Sequence, residues 1–125
     1  MERNMFCFQC EQTAGCSACT GCAGVCGKKA DTAVLQDKLT GALIGLARAT
    51  EGNEHLVTEA TDRLVVEGLF TAITNVNFNN ETLDILIDKI EEEKERLKAI
   101  KAELAQISLK FSQNILKILV DIYKK

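Results

Sequence analysis

Residues 81–123, ETLDILIDKIEEEKERLKAIKAELAQISLKFSQNILKILVDIY, decide the fold. The stretch holds no glycine and no proline, and Leu83, Ile90, Leu97, Leu104, Phe111 and Ile118 recur every seven residues. That period belongs to one apolar face of a helix. Leu86, Ile100 and Ile107 supply the second seam position, and Ile115 and Ile122 then move one place on, so the seam rotates or the helix breaks near Ser108. One long rod and two stacked pieces both fit the pattern. Glu93 and Lys94 interrupt the apolar line, which disfavours an uninterrupted two-stranded coiled coil. The tail Phe111, Ile115, Ile118, Leu119 and Ile122 is nevertheless more apolar than a short bundle needs. The seam either packs on the chain's own helices or continues into a second subunit, as a homodimer through the C-terminal helix. The charge run Glu91–Arg96 reads as a solvated face with i,i+4 support such as Glu92 to Arg96.

Upstream, apolar residues keep helical spacing. A helix is expected from Asp31, as N-cap, to Thr50, burying Leu35, Leu39, Ala42, Leu43 and Leu46 before Gly52 breaks it. A second is expected from about Asn53 to Val76, with Leu64–Phe70 buried on nearly every side. Asn75–Asn80 reads as a turn, and Asn79 or Asn80 caps the third helical segment. The same capping explains Asn80-Glu81-Thr82, which matches a glycosylation acceptor. The expected class is all-α, a bundle of three to four helices over residues 31–125, preceded by a Cys-rich loop over residues 1–30, in a single domain 1–125.

Composition agrees: 125 residues, 46% hydrophobic and 26% charged, suit one core. A net charge of -3 and a pI near 5.2 lack the basic face that nucleic-acid binding needs. No apolar run reaches the roughly 20 residues of a membrane helix, and residues 1–7 carry no apolar leader. A cytoplasmic location is expected. There, thiols serve metal or redox chemistry more readily than disulfides.

All six cysteines, Cys7, Cys10, Cys16, Cys19, Cys22 and Cys26, fall within the first 26 residues. Thiolates at that density read as iron–sulfur ligands; a structural zinc site has the same tetrahedral thiolate demand. Two groupings are open. Cys16-x2-Cys19-x2-Cys22-x3-Cys26 has a bacterial ferredoxin spacing without the usual proline after it, since residue 27 is glycine. Cys7-x2-Cys10-x8-Cys19-x6-Cys26 places two thiols on one tight turn and two on a glycine-bearing return loop. Backbone N–H groups near Gly15, Gly21, Gly24 and Gly27 suit hydrogen bonds to sulfur, and Phe6 and Phe8 suit shielding one side from water. His55, the single histidine, reads as solvated.

Met5-Phe6-Cys7-Phe8-Gln9-Cys10-Glu11-Gln12-Thr13-Ala14, then Gly24-Val25-Cys26-Gly27-Lys28 and Leu35-Gln36-Asp37, resemble the N-terminus of the hybrid cluster proteins, or hydroxylamine reductases. Phe70–Phe78 is similar to a later stretch of that family's first domain. The resemblance covers about residues 5–98, and the stretch after about Ile100 has no counterpart in it. It implies Cys7, Cys10, Cys19 and Cys26 as ligands of a conventional cluster, [4Fe-4S] or, in some members, [2Fe-2S], that passes electrons onward. The return loop is one residue longer than in the usual [4Fe-4S] members, and Cys16 and Cys22 are extra thiols able to replace a ligand. The family's hybrid cluster needs later Cys, His and Glu ligands, and this chain has no cysteine after Cys26. The resemblance therefore implies an electron-transfer module, not catalytic alone, working with a redox partner protein or a larger redox enzyme. Two other readings stand beside it: a metal-stabilised helical docking or oligomerisation module, and a small enzyme in which Cys16 or Cys22 leaves one iron open to substrate.

Overall fold

The computed structural model describes residues 5–11, 13–74 and 79–124. Three helices make up most of them: α1 (Ala30–Thr50), α2 (Glu59–Thr74) and α3 (Asn80–Tyr123). Short 3-10 turns at Ala14–Cys16 and Glu54–Leu56 lie between. The only β pairing among the described residues is an isolated antiparallel bridge between Cys7 and Cys19. The all-α expectation and the Cys-rich N-terminal loop are both met.

Each helix boundary has a local cause. α1 begins at Ala30 with Lys29 as N-cap and no side-chain capping bond, so the expected cap Asp31 sits inside the first turn. There its Oδ1 accepts from the Thr32 N–H at 2.8 Å, a favourable place for an anion. α1 stops where Gly52 takes the left-handed conformation, φ 70°, that a non-glycine residue resists. α2 begins later than Asn53 because Thr58 and Thr61 cap the chain reciprocally: the Thr58 N–H donates to Thr61 Oγ1 at 3.1 Å and the Thr61 N–H to Thr58 Oγ1 at 3.4 Å. Asn79 caps α3, its Oδ1 accepting from the Thr82 N–H at 3.1 Å. The expected turn at residues 75–78 and the expected end of α2 at Val76 lie outside the described residues.

Two sets of contacts fix how α1 and α3 lie. At their N-termini, Thr32 Oγ1 donates to Asn80 Oδ1 at 2.7 Å and Asn80 Nδ2 donates to Asp31 Oδ2 at 2.9 Å. Further along, a Cβ on Gly45 would stand 3.3 Å from the Lys94 stem. The helices therefore run parallel, with α1 residues level with α3 residues about 48 to 49 positions later in the chain. α2 returns antiparallel across them. Between them, Leu39, Ala42, Leu43 and Leu46 interlock with Leu83, Leu86, Ile90 and Leu97, the spacing that a helix turns to one side. Leu35, expected inside, is partly buried at the edge of this core, as are Leu64, Val65 and Ala72.

The parallel register has a consequence for length. At 1.5 Å per residue, α1 spans about 32 Å and α3 about 66 Å. α1 runs out level with about Lys98, and every described residue from Lys101 to Lys124 is exposed. α3 is thus one continuous rod of 44 residues rather than two pieces broken at Ser108, and its second half projects past the bundle. Phe111, Ile115, Ile118 and Ile122 all face solvent.

The expectation that α2 is buried on nearly every side is corrected too. Val66, Leu69 and Phe70 are exposed, because α1 and α3 cover one face of α2 only. Contact there is close at Gly68, where a Cβ would stand 2.8 Å from Leu43 Cδ2 and 3.3 Å from Ile90 Cδ1. The acidic run pairs differently from the expected Glu92–Arg96 match. Arg96 grips Glu93 with two bonds, Nε to Oε2 at 2.7 Å and Nη2 to Oε1 at 2.6 Å, while Thr61 Oγ1 donates to the same carboxylate. This explains how a glutamate sits in the apolar seam: it ties α3 to the start of α2. Lys94 likewise pairs with Glu91 and lays its stem over Gly45.

Gly68→Val overfills the α1–α2–α3 contact and is expected to lower stability by about 2 kcal/mol, read from the urea midpoint. The Arg96 guanidinium, and after it the Thr61 hydroxyl, hold the Glu93 carboxyl below its ordinary value near 4.5 despite the opposing effect of burial. A depressed carboxyl pKa stabilises the fold above the unfolded value, and this contribution disappears as pH falls through the lower folded value. Glu93→Gln is therefore expected to shift the urea midpoint downward at pH 7 and by progressively less as the pH falls below the ordinary carboxyl value.

Candidate metal centre

The cysteine loop is anchored before any ligand is considered. Met5, Cys7, Cys19 and Ala33 form a second small core on the first turn of α1, with Ala30 beside it. Gln9 Nε2 reaches across the loop to donate to Asp37 Oδ1 at 2.7 Å. The return strand closes through the Gly24 N–H to Lys28 O at 2.8 Å and the Gly27 N–H to Gly24 O at 2.9 Å, with Gly27 at φ 84°. Gly24 lies beside Cys26 and Met5, and a Cβ there would stand 3.4 Å from Cys26 Sγ and from Met5 Cε.

Cys7 and Cys19 are brought together directly. Their backbones exchange two hydrogen bonds, Cys7 N–H to Cys19 O at 3.1 Å and Cys19 N–H to Cys7 O at 2.8 Å. Residues opposite one another in such a pair project to the same side. Both are buried, whereas Cys10 is half-buried and Cys16, Cys22 and Cys26 are exposed. Cys10 lies in the next turn of the chain, its carbonyl accepting from the Thr13 N–H at 3.2 Å and the Thr13 hydroxyl at 2.6 Å. A shallow hollow is lined by Phe8, Cys10, Glu11, Thr13, Cys16 and Ser17. The chain reverses there with two residues in the left-handed region, Gly15 at φ 58° and Cys16 at φ 55°. None of the six cysteines, all among the described residues, is in a disulfide.

The structure thus pairs the backbones of Cys7 and Cys19 and lines one hollow with Cys10 and Cys16, while Cys22 and Cys26 are exposed. Among the described residues, no three Cys, His, Asp or Glu side chains stand together as the grip of one metal ion. The donor chemistry nonetheless fits a thiolate-bound cluster. Six thiols sit on one short loop, two of them paired and buried at its base, and glycine leaves open the space beside Cys26. Phe6 and Phe8 are both exposed and pack edge to face on each other at 5.6 Å between ring centres. His55 is exposed on the Glu54–Leu56 turn.

A residue that is not among the candidate ligands stands at the centre of this arrangement. Lys28 is 1% exposed, and its Nζ donates to Gln36 Oε1, to Gln9 Oε1 at 3.1 Å and to Cys7 Sγ at 3.6 Å. Lys28 closes the stretch Gly24-Val25-Cys26-Gly27-Lys28, and the packing of the return loop on α1 turns it inward.

Comparison with known proteins gives this loop and bundle a context. A profile of the Prismane/CO dehydrogenase family matches residues 5–121. The match runs well past residue 98, so the projecting half of α3 has a family counterpart after all. The hydroxylamine reductase of Syntrophobacter fumaroxidans is 47% identical over 100 residues, covering 76% of this chain and 18% of that protein. That of Methanocella arvoryzae is 47% identical over 99 residues, with 75% and 18% covered. That of Acidithiobacillus ferridurans is 42% identical over 109 residues, with 82% and 19% covered. The chain spans under a fifth of the length of these relatives. No helix among the described residues is long and apolar enough to cross a membrane. With the family profile matched over residues 5–121 and relatives 42–47% identical over three quarters or more of its length, this chain belongs to the Prismane/CO dehydrogenase family and corresponds to the N-terminal domain of the hybrid cluster proteins.

Proposed function

We propose that this chain is an iron–sulfur electron-transfer module of the cytoplasm. Family membership supports an iron–sulfur cofactor in general; the finer assignment is a [4Fe-4S] cluster on Cys7, Cys10, Cys19 and Cys26. The observation that carries it is the Cys7–Cys19 bridge. It pairs two thiols that lie 12 positions apart in sequence and buries both at the base of the loop. The ferredoxin-type grouping, Cys16 to Cys26, would leave the buried Cys7 without a part. A cluster held by four thiolates supplies one-electron transfer by outer-sphere exchange. The protein's own share is to hold the sulfurs, to set the charge and hydrogen bonds around them, and to keep one side near the surface through exposed Cys26.

The partner we propose is a larger redox protein that covers the projecting half of α3. From Glu103 onward one polar strip, Glu103, Gln106, Lys110, Gln113, Lys117, Asp121 and Lys124, keeps helical spacing, and apolar residues occupy most of the remaining circumference. A single partner helix covers a narrow two-in-seven seam, whereas a helix apolar on most sides belongs inside a bundle. The relatives, in which the matched part is under a fifth of the whole, have ample chain to provide one.

Anaerobically purified protein is expected to contain iron and acid-labile sulfide and to give an EPR signal on reduction. Cys7→Ser, Cys10→Ser, Cys19→Ser and Cys26→Ser are each expected to abolish normal assembly, and Cys16→Ser and Cys22→Ser to retain it. Zinc in place of iron, or loss of assembly in the last two alone, would overturn the assignment. For the partner surface, light scattering of the isolated chain is expected to show no discrete oligomer but a mixture that Ile115→Glu with Leu116→Glu shifts toward monomer. A defined dimer would assign the face to a second copy instead.

A further inference from the structure

Lys28 places a positive charge against a sulfur that the proposed cluster uses, at a depth where water does not screen it. A fully buried ammonium is retained only where hydrogen bonds replace its water. Two of its donors meet the amide oxygens of Gln36 and Gln9, and another meets Cys7 Sγ at 3.6 Å. Amide oxygens are dipolar acceptors without net charge. They hold the head in place beside the sulfur.

The two glutamines are themselves positioned. Gln9 commits its Nε2 to Asp37 Oδ1 at 2.7 Å, which turns its Oε1 toward Lys28. Gln36 is buried on α1, and its backbone carbonyl accepts from Thr40 Oγ1 at 3.0 Å. The Lys28 backbone is fixed as well, its carbonyl accepting from the Gly24 N–H. Head and stem are therefore aimed at Cys7 by α1 and by the return strand together.

We propose that Lys28 is a positioning residue that tunes the reduction potential of the centre through Cys7, a role that rests on the proposed cluster. Adding one electron from a reduced partner makes the cluster more negative by one charge. A buried cation at the ligand sulfur stabilises the reduced state more than the oxidised one and raises the potential. Hydrogen bonds to sulfur and local charge are the protein's levers on such a centre, and burial reduces the screening between them.

The test is an EPR-monitored redox titration of the anaerobically prepared protein, with iron per chain and helicity measured alongside. Lys28→Met, of similar length and without charge, is expected to lower the midpoint by about 59 mV, a tenfold change in the one-electron equilibrium constant. Gln36→Glu keeps Lys28 and sets a carboxylate against its head, so the midpoint is expected to fall in the same direction. Iron-loaded Lys28→Met that titrates at the wild-type potential overturns the proposal, because a purely structural lysine would change loading or melting and leave the potential of the loaded fraction alone. Should Lys28→Met fail to load, an unshifted midpoint in loaded Gln36→Glu overturns it equally. Wild-type protein without iron removes the cluster itself, an outcome distinct from a loaded centre with an unmoved potential.

Discussion

The parallel seating of α1 on α3 is the constraint on which the rest of the molecule depends. Leucines and isoleucines at helical spacing supply the adhesion, and their burial is the main favourable term. They do not choose the register by themselves, since apolar contacts are non-directional. The polar ties do that. Asn80 bonded to both Thr32 and Asp31 sets the two N-termini level, and Lys94 lying over Gly45 holds the alignment half-way along. Sliding α3 by one turn would break the directional bonds and misplace the apolar rows together.

From that register come both ends of the molecule. At one end, the first turns of α1 present Ala33, Gln36 and Asp37 on a surface against which the cysteine loop can lie. Met5 and Ala33 supply the apolar contact, and Gln9, Lys28, Gln36 and Asp37 supply the hydrogen bonds. The loop has little periodic structure of its own, so its order is borrowed from α1. At the other end, α1 is simply too short to accompany α3. The apolar rows continue along the rod after the helix that could cover them has ended, which leaves a broad uncovered face on an otherwise well-packed chain. An apolar face of that extent ordinarily marks an interaction surface.

Charge is placed with equal economy. Glu93 interrupts the seam, yet the Arg96 fork and the Thr61 hydroxyl satisfy its oxygens and join α3 to α2. Lys28 is buried entirely, and its ammonium is held by amides beside a thiol. The first is a pair of opposite charges that closes on itself. The second directs one of its donors at the sulfur of Cys7.

The sequence alone determined the helical class, the break at Gly52, an asparagine cap at Asn79 or Asn80 and the concentration of thiols in the first 26 residues, because periodicity, left-handed glycines, capping side chains and cysteine spacing are all local signals. It also contained the family motif around Cys7 and Cys10. Tertiary structure alone decided that α3 is one rod with a bare half, that Val66, Leu69 and Phe70 face outward, that Arg96 chooses Glu93 over Glu92, and that Lys28 turns inward to Cys7. Each of these depends on which surface another helix or loop happens to cover, and on how long that cover is. Periodicity tells which side of a helix is apolar; only packing tells what, if anything, lies against it.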